Sequence, residues 1–418
     1  MRRYESYKDS GVEWLGDVPS HWELGRISTY FTERRTKVSD KDYPALSVTK
    51  LGVFPQWENV AKTSDGDNRK LARKGDFVIN SRSDRKGSSG IAKQDGSVSL
   101  INIVLQPKKI NSVYSEYLFK SYNFIEEFYR VGHGIVADLW TTRFEDIKNS
   151  LIIYPPLSEQ QKIAQFLDDK TAKIDQAVDL AEKQIALLKE HKQILIQNAV
   201  TRGLNPDVPL KDSGVEWIGQ VPDHWKVSSL GKMLLPVSEK NKPNLPLLSI
   251  TRELGVIERD VEDQESNHNF IPDDLSNYKV LKEGQFGMNK MKAWQGSYGV
   301  SRFTGIVSPA YYIFDFIKSV NPRFFHWAIR SKIYISFFGS ASDGVRIGQW
   351  DLSKSRMKSI PFIIPSYTEQ VQIADYLDQQ AVKIDQAIAL KTAHIEKLKE
   401  YKSVLINDVV TGKVQVSV

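Results

Sequence analysis

Two long stretches of the chain carry apolar residues in steps of four and three, the spacing that lays one stripe along an α-helix. The first reads Ile163, Leu167, Ile174, Val178, Ala181, Ile185, Leu188, Leu195 and Ala199. The second reads Ile373, Leu377, Ile384, Ile388, Ile395, Leu398, Leu405 and Val409. Pro155, Pro156 and Pro365 stop what precedes. Ser158 and Thr368 are placed to cap, Gln161 completes a capping box in the first stretch, and Gly203 and Gly412 follow the last apolar positions. The pattern predicts helices over 158–202 and 366–413, each about 65 Å long at about 1.5 Å per residue. Such a stripe needs a partner, and each helix can supply the other's, with these residues as the seam of an antiparallel coiled coil. Lys192 and Lys402 interrupt the stripes at one matching position. Elsewhere the pattern changes to short β-branched and aromatic runs such as "FVIN", "SVSLINIVL" and "SIPFIIPS", separated by Gly-rich turns. That is a mixed α+β pattern.

The chain states this plan twice. "KDSGVEWLGDVPSHWE" from Lys8 returns as "KDSGVEWIGQVPDHWK" from Lys211, and "LSVTKLGVF" from Leu46 as "LSITRELGVI" from Leu248. "KGDFVINS" from Lys74 faces "EGQFGMNK" from Glu283, and "SEQQKIAQFLDDKTAKIDQAV" from Ser158 faces "TEQVQIADYLDQQAVKIDQAI" from Thr368. A repeat this long is a duplicated module, not a solenoid unit. The expected fold class is α+β, with two tandem globular heads, at 1–155 and 204–364, and long helices at 156–203 and 365–418. A pseudo-twofold relating the halves would make the helices antiparallel. Ser10 with Glu13, and Ser213 with Glu216, read as capping boxes of a short helical turn ended by Gly16 and Gly219. Beside that turn Trp14 and Trp217 offer apolar faces, either to pack against the body of the chain or to dock a pair of identical partners.

Charge narrows the picture. The 418 residues carry a net charge of +6 with a pI near 9.0, and the surplus lies in the heads. The stretch Arg69–Lys93 holds eight basic residues and two acidic ones, and Lys279–Arg302 holds five and one. Arg pairs bidentately with guanine and Gln with adenine, while Ser and backbone amides hold phosphates. Candidate nucleic-acid contacts are therefore Lys50, Arg69, Lys70, Arg82, Arg85, Lys86, Ser88 and Ser89 in the first head. In the second they are Arg252, Lys290, Lys292, Trp294, Gln295, Tyr298, Arg302 and Arg346. The frame residues Gly75/Gly284, Phe77/Phe286, Asn80/Asn289 and Gly90/Gly299 recur while those between them differ, as expected if two heads of one design read different sequences.

Catalytic patterns are missing from the sequence. There is no cysteine, no Walker A and no GxGxxG after a strand, and the seven histidines lack metal-ligand spacing. His21 and His224 recur as "HW", which favours packing beside Trp22 and Trp225. "EHK" at Glu190 and "EYK" at Glu400 lie within the predicted helices with no Pro-Asp partner. No apolar run reaches the ~18 residues of a membrane span, and the N-terminus lacks a signal-peptide core, so a cytoplasmic location is expected.

The duplicated "KDSGVEW…VPSHWE" and the run "PLSEQQKIAQFLDD" followed by an Ile-Asp helix resemble the specificity (S) subunit of type I restriction–modification enzymes. The second copy, "PSYTEQVQIADYL", departs modestly. The resemblance implies that the heads are target recognition domains, each reading one half of a split site on double-stranded DNA. It implies that the helices are a spacer and a docking surface for two methyltransferase (M) subunits that use S-adenosylmethionine to methylate adenine. Restriction (R) subunits that use ATP and Mg to translocate and cut can join, in defence against foreign DNA. The chain itself would be non-catalytic and hold no cofactor or metal. Two alternatives stay open: a stand-alone two-headed DNA-binding regulator, and a self-sufficient methyltransferase, for which the N/D-P-P-Y/F motif is missing.

Overall fold

The computed structural model describes residues 2–56, 66–135, 140–261, 271–317, 319–344 and 350–416. The chain divides into two compact units, 1–182 with 392–418, and 183–391. Each unit thus takes one head together with a segment of each long helix.

In the first unit, β-branched and aromatic runs pair into a four-stranded antiparallel sheet in the order Ser89–Ile91, Phe77–Asn80, Asn102–Pro107, Phe31–Glu33. Phe77 lies opposite Leu105 and Ile79 opposite Ile103. With side chains alternating between faces, Phe77, Ile79, Ile103 and Leu105 join one core while Val78 and Val104 join another with Leu46, Val53 and Val98. Helices Ser112–Phe119 and Tyr122–Arg130 bury Tyr114, Phe119, Phe124 and Phe128 on the first face. The same core takes in Trp22 and, from the long helices, Ile163, Leu167, Ile174, Leu405 and Val409, so head and helix segments fold as one body. The second unit repeats this plan with Tyr298–Val300, Phe286–Met288, Tyr312–Phe316 and Leu234–Val237, under helices Pro322–Ile329 and Lys332–Ser340. Mixed helix and strand content is as the sequence predicts.

The helices run Leu157–Arg202 and Tyr367–Val410. Each starts before its predicted cap. In the first, the Pro156 carbonyl accepts from the Glu159 and Gln160 amides, so Ser158 and Gln161 form no capping box and lie inside the first turns. In the second, the box is Ser366 with Glu369: the Ser366 amide donates to Oε2 of Glu369 at 3.1 Å, and the Ser366 hydroxyl accepts from the Glu369 amide at 3.3 Å. Thr368 is two residues too deep, because Ser366 is the cap and Tyr367 already takes a helical position. Gly203 and Gly412 do end the helices, both at φ +76°.

Within each unit the helical segments are antiparallel. In 183–391, Gln184 meets Lys391 and Lys192 meets Asp385; in the other unit Lys402 meets Asp175. Ile163, Leu167, Ile174, Ile373, Leu377, Ile384, Ile395 and Leu405 are buried, and Val178, Ile185, Leu188, Leu195, Ile388 and Leu398 are half-buried. Ile163, Leu167, Ile373 and Leu377 belong to the cores that hold the heads, so they pack as much against their head as along the stripe.

The repeated heptapeptide runs from a hairpin strand into the single turn ended by Gly16, but without the expected capping box. Tyr7–Asp9 pairs with Asp17–Pro19 as a hairpin, and the Ser10 hydroxyl accepts from the Val12 amide at 3.1 Å, not from a residue at N3. The Val12 carbonyl accepts from Leu15 and Gly16, and Gly16 turns the chain at φ +63°. Ser213, Val215 and Gly219 repeat these bonds in the hairpin of Leu210–Asp212 with Gln220–Pro222. Ser and Thr side chains bond to nearby amides in turns as readily as at helix starts, so the motif alone does not distinguish the two.

Candidate nucleic-acid interface

The joint between head and helix explains the repeated motifs. Glu159, in the first helical turn, accepts from the Tyr4 hydroxyl at 2.5 Å and Trp22 Nε1 at 3.1 Å, and lies 2.9 Å from His21 Nε2. Glu369 repeats this with His224 Nε2 at 2.8 Å and Trp225 Nε1 at 3.1 Å. Partial burial would raise the Glu369 pKa, but hydrogen bonds from His224, Ser366 and Trp225 outweigh it and hold it at about 2. Gln160 accepts from the Asn111 amide and donates to the Pro155 carbonyl; Gln370 does the same with Asn321 and Pro365. The Ser/Thr-Glu-Gln and His-Trp motifs are therefore architectural.

The basic loops follow the C-terminal ends of the central strands Phe77–Asn80 and Phe286–Met288. In both heads an Asn side chain starts the loop: Asn80 Oδ1 accepts from the Arg82 amide and Asn289 Oδ1 from the Met291 amide, each at 3.1 Å. A single 3-10 turn follows, Ser83–Arg85 or Ala293–Gln295, and Gly87 or Gly296 closes it with positive φ. The frame is shared and its contents differ. In the first head Arg82 pairs with Asp84 at 2.9 Å, Lys86 with Glu126 at 2.6 Å, and Arg85 projects into solvent. In the second, Trp294 packs on Trp350 with ring centroids 5.0 Å apart, Lys290 pairs with Asp351 at 2.9 Å, and Lys292 is exposed. The hydrogen bond to Asp351 raises the Lys290 pKa. Lys50, Arg252 and Arg302 are exposed, Gln295 is half-buried, and Arg346 lies outside the described residues.

Five expected contacts turn inward instead. Arg69 is buried, with Nε on the Ser97 hydroxyl at 2.8 Å and Nη2 on the Ser97 carbonyl at 3.0 Å. Burial lowers its pKa. Lys70 spans to the Asn102 carbonyl at 2.7 Å and Glu33 at 3.4 Å. Ser88, Ser89 and Tyr298 are buried, and desolvation raises the Tyr298 pKa. Strand geometry is the reason: Arg69 and Lys70 lie within Arg69–Ala72, and Ser89 and Tyr298 open matching strands that pack under the loops.

One pair of residues escapes sequence reading. Arg330 is largely buried, and from Nη1 it donates to the Tyr298 carbonyl at 2.6 Å. From Nη2 it donates to the Arg252 and Glu253 carbonyls at 3.0 and 2.8 Å. Burial lowers its pKa. Beside it, burial with Arg330 and Arg302 nearby pushes His326 down to about 3, and its Nδ1 accepts from the Val300 amide at 3.1 Å. Glu116 and Lys120 hold the matching places in the first head, 3.9 Å apart. No motif marks them, since a cation on an amphipathic helix ordinarily faces water.

Trp14 and Trp217 differ. Trp14 packs edge-on against Phe124, and its carbonyl accepts from the Asn123 side chain at 3.1 Å. Trp217 stacks on Phe337 and stays 55% exposed. Among the described residues no cluster of His, Asp or Glu could hold a metal ion, and no helix is long and apolar enough to cross a membrane.

Residues 20–189 match the type I restriction modification DNA specificity domain. The first half of the chain thus carries a domain of the type I DNA specificity kind. The MjaVIII type I restriction enzyme specificity subunit of Methanocaldococcus jannaschii is 25% identical over 96% of this chain and 94% of its own length. Among solved structures, similarity extends over 95% of this chain to two chains, each 14% identical to it. One, from work on complex assembly and conformational transition of the type I R-M system, aligns over 99% of its own length with a TM-score of 0.68. The other, the HsdS subunit from Thermoanaerobacter tengcongensis, aligns over 98% with a TM-score of 0.54. These two likenesses establish the fold.

Proposed function

We propose that the chain is a type I specificity subunit, that each head reads one half of a split DNA site, and that the helices act as the spacer and docking surface between the two. The observation that carries the reading is the pair of matched loops, which share an Asn start and a Gly close but present Arg82, Arg85 and Lys86 in one head and Met291, Trp294 and Gln295 in the other. A frame held constant around exchanged side chains is what two different half-sites require. The methyltransferase subunits bring S-adenosylmethionine, and restriction subunits, where present, bring ATP and Mg. For docking, the long helices keep Leu180, Leu187, Ile194, Leu390 and Val404 exposed, and Trp217 adds an apolar face near the hairpin. A stand-alone regulator has no use for such an apolar stripe.

The test is a genome-wide map of modified adenine in cells expressing this chain with its methyltransferase subunit, set against cells lacking it. A new motif of two short half-sites around a fixed gap, with one modified adenine per strand, is the expected result. An active complex that leaves no such motif would favour the regulator.

A further inference from the structure

The hairpins Leu46–Thr49/Gly52–Pro55 and Leu248–Thr251/Gly255–Glu258 carry the repeated "LSVTKLGVF" and "LSITRELGVI", and their tips hold Leu51 and Leu254. At their apices Leu51 is 85% exposed and Leu254 is 69% exposed. A lone exposed leucine is ordinary. These two are built alike. The Thr49 hydroxyl donates to the Gly52 carbonyl at 3.1 Å and accepts from the Leu51 amide at 3.1 Å. The Thr251 hydroxyl donates to the Gly255 carbonyl at 3.2 Å and accepts from the Leu254 amide at 3.1 Å. The second tip holds an extra residue, Glu253, yet keeps the leucine in place.

Each tip is also braced against the strand that leaves its basic loop. A Cβ on Gly90 would come within 2.9 Å of the Gly52 Cα, so the two backbones touch there. In the second head the Arg330 guanidinium joins the tip carbonyls of Arg252 and Glu253 to the Tyr298 carbonyl just past the loop. A rigid tip that displays an apolar side chain beside a cation, Lys50 or Arg252, suits a DNA groove. The cation meets phosphate, and the leucine meets base edges or wedges a base step.

We infer that Leu51 and Leu254 enter a groove of the DNA, each at the half-site its own head reads. This rests on the functional reading above. Apolar contact releases no counterions, whereas a phosphate contact does. In the assembled complex with the methyltransferase subunit, Leu51→Ala and Leu254→Ala should each weaken binding to the mapped split site about tenfold, with an unchanged salt slope. Lys50→Ala and Arg252→Ala should instead lower that slope by about one. Leu254→Met should restore affinity. Leucine variants that bind like wild type, in a complex that does prefer the split site, overturn the tip assignment alone. So does a loss traced to weaker assembly with the methyltransferase subunit, measured by size-exclusion chromatography. A wild-type complex that prefers no split site overturns the functional reading and this assignment together.

Discussion

Glu369 shows how one residue can tie two parts of the chain together. Its carboxylate takes hydrogen bonds from His224, Trp225 and Ser366, and its folded pKa of about 2 lies below the ordinary 4.5. A lowered folded pKa means the ionised form stabilises the fold. That contribution is complete above about pH 4.5 and is lost as pH falls toward 2. Glu369→Ala, which leaves the buried Trp225 indole N–H unpaired, should cost about 2 kcal/mol at pH 7. Its urea midpoint, followed by tryptophan fluorescence, should vary less between pH 4.5 and 2 than that of wild type. Equal pH dependence in both proteins would remove Glu369 as the source. The sequence already points to packing for His21 and His224, because a His recurring beside Trp in two copies sits in a repeated structural context. It misplaces Arg69, Lys70, Ser89 and Tyr298, because composition counts basic and polar residues without saying which face of a short strand they occupy. Arg330 and His326 were illegible for the opposite reason: their role depends on burial beneath loops distant in sequence.

Among the elements, the long helices are the most legible, since a stripe sustained over many turns leaves little ambiguity of type; their starts shift, where the Pro156 carbonyl and Ser366 take the capping positions, and the second ends early, at Val410. The lysines that interrupt the stripes acquire a role from their partners. Lys192 Nζ lies 2.8 and 2.7 Å from the two carboxylate oxygens of Asp385, and Lys402 Nζ lies 2.7 Å from both oxygens of Asp175. A polar residue at a seam position sets register at some cost in stability. Each pair joins antiparallel segments inside one unit and is lost if one segment slides by a turn. The carboxylates are more than half exposed, so either pair contributes only a fraction of a kcal/mol to about 1 kcal/mol. Lys192→Asp, which sets two carboxylates face to face, should lower the melting temperature by a few degrees. Lys192→Asp with Asp385→Lys should recover most of that loss, and calorimetry of the three proteins decides it. If the double variant melts no higher than Lys192→Asp alone, the pair does not set register.

At the scale of the whole molecule, duplication lets one architecture address two sequences, provided that differences are confined to positions the fold does not use. The buried aromatic cores and the Glu–Trp and Gln–backbone joints recur in both units, whereas Arg85 exchanges for Trp294 and Lys86 for Gln295 at the loops. The gap between half-sites must then be set by the elements that join the heads, and under the proposed function those are the helices. Inserting seven residues into both helices, between Ala181 and Lys189 and between Lys391 and Lys399, keeps the stripe in phase because seven residues make nearly two helical turns. The insertion adds about 10 Å of helix, the rise of about three base pairs at 3.4 Å each. Both joints and both sets of loops stay untouched, so the half-sites should be unchanged while the gap grows by up to about three base pairs. Mapping modified adenine in cells that express the extended chain with its methyltransferase subunit measures both quantities at once. An unchanged gap would show that the helices are not the ruler, and altered half-sites would show that the heads do not read independently of the elements joining them.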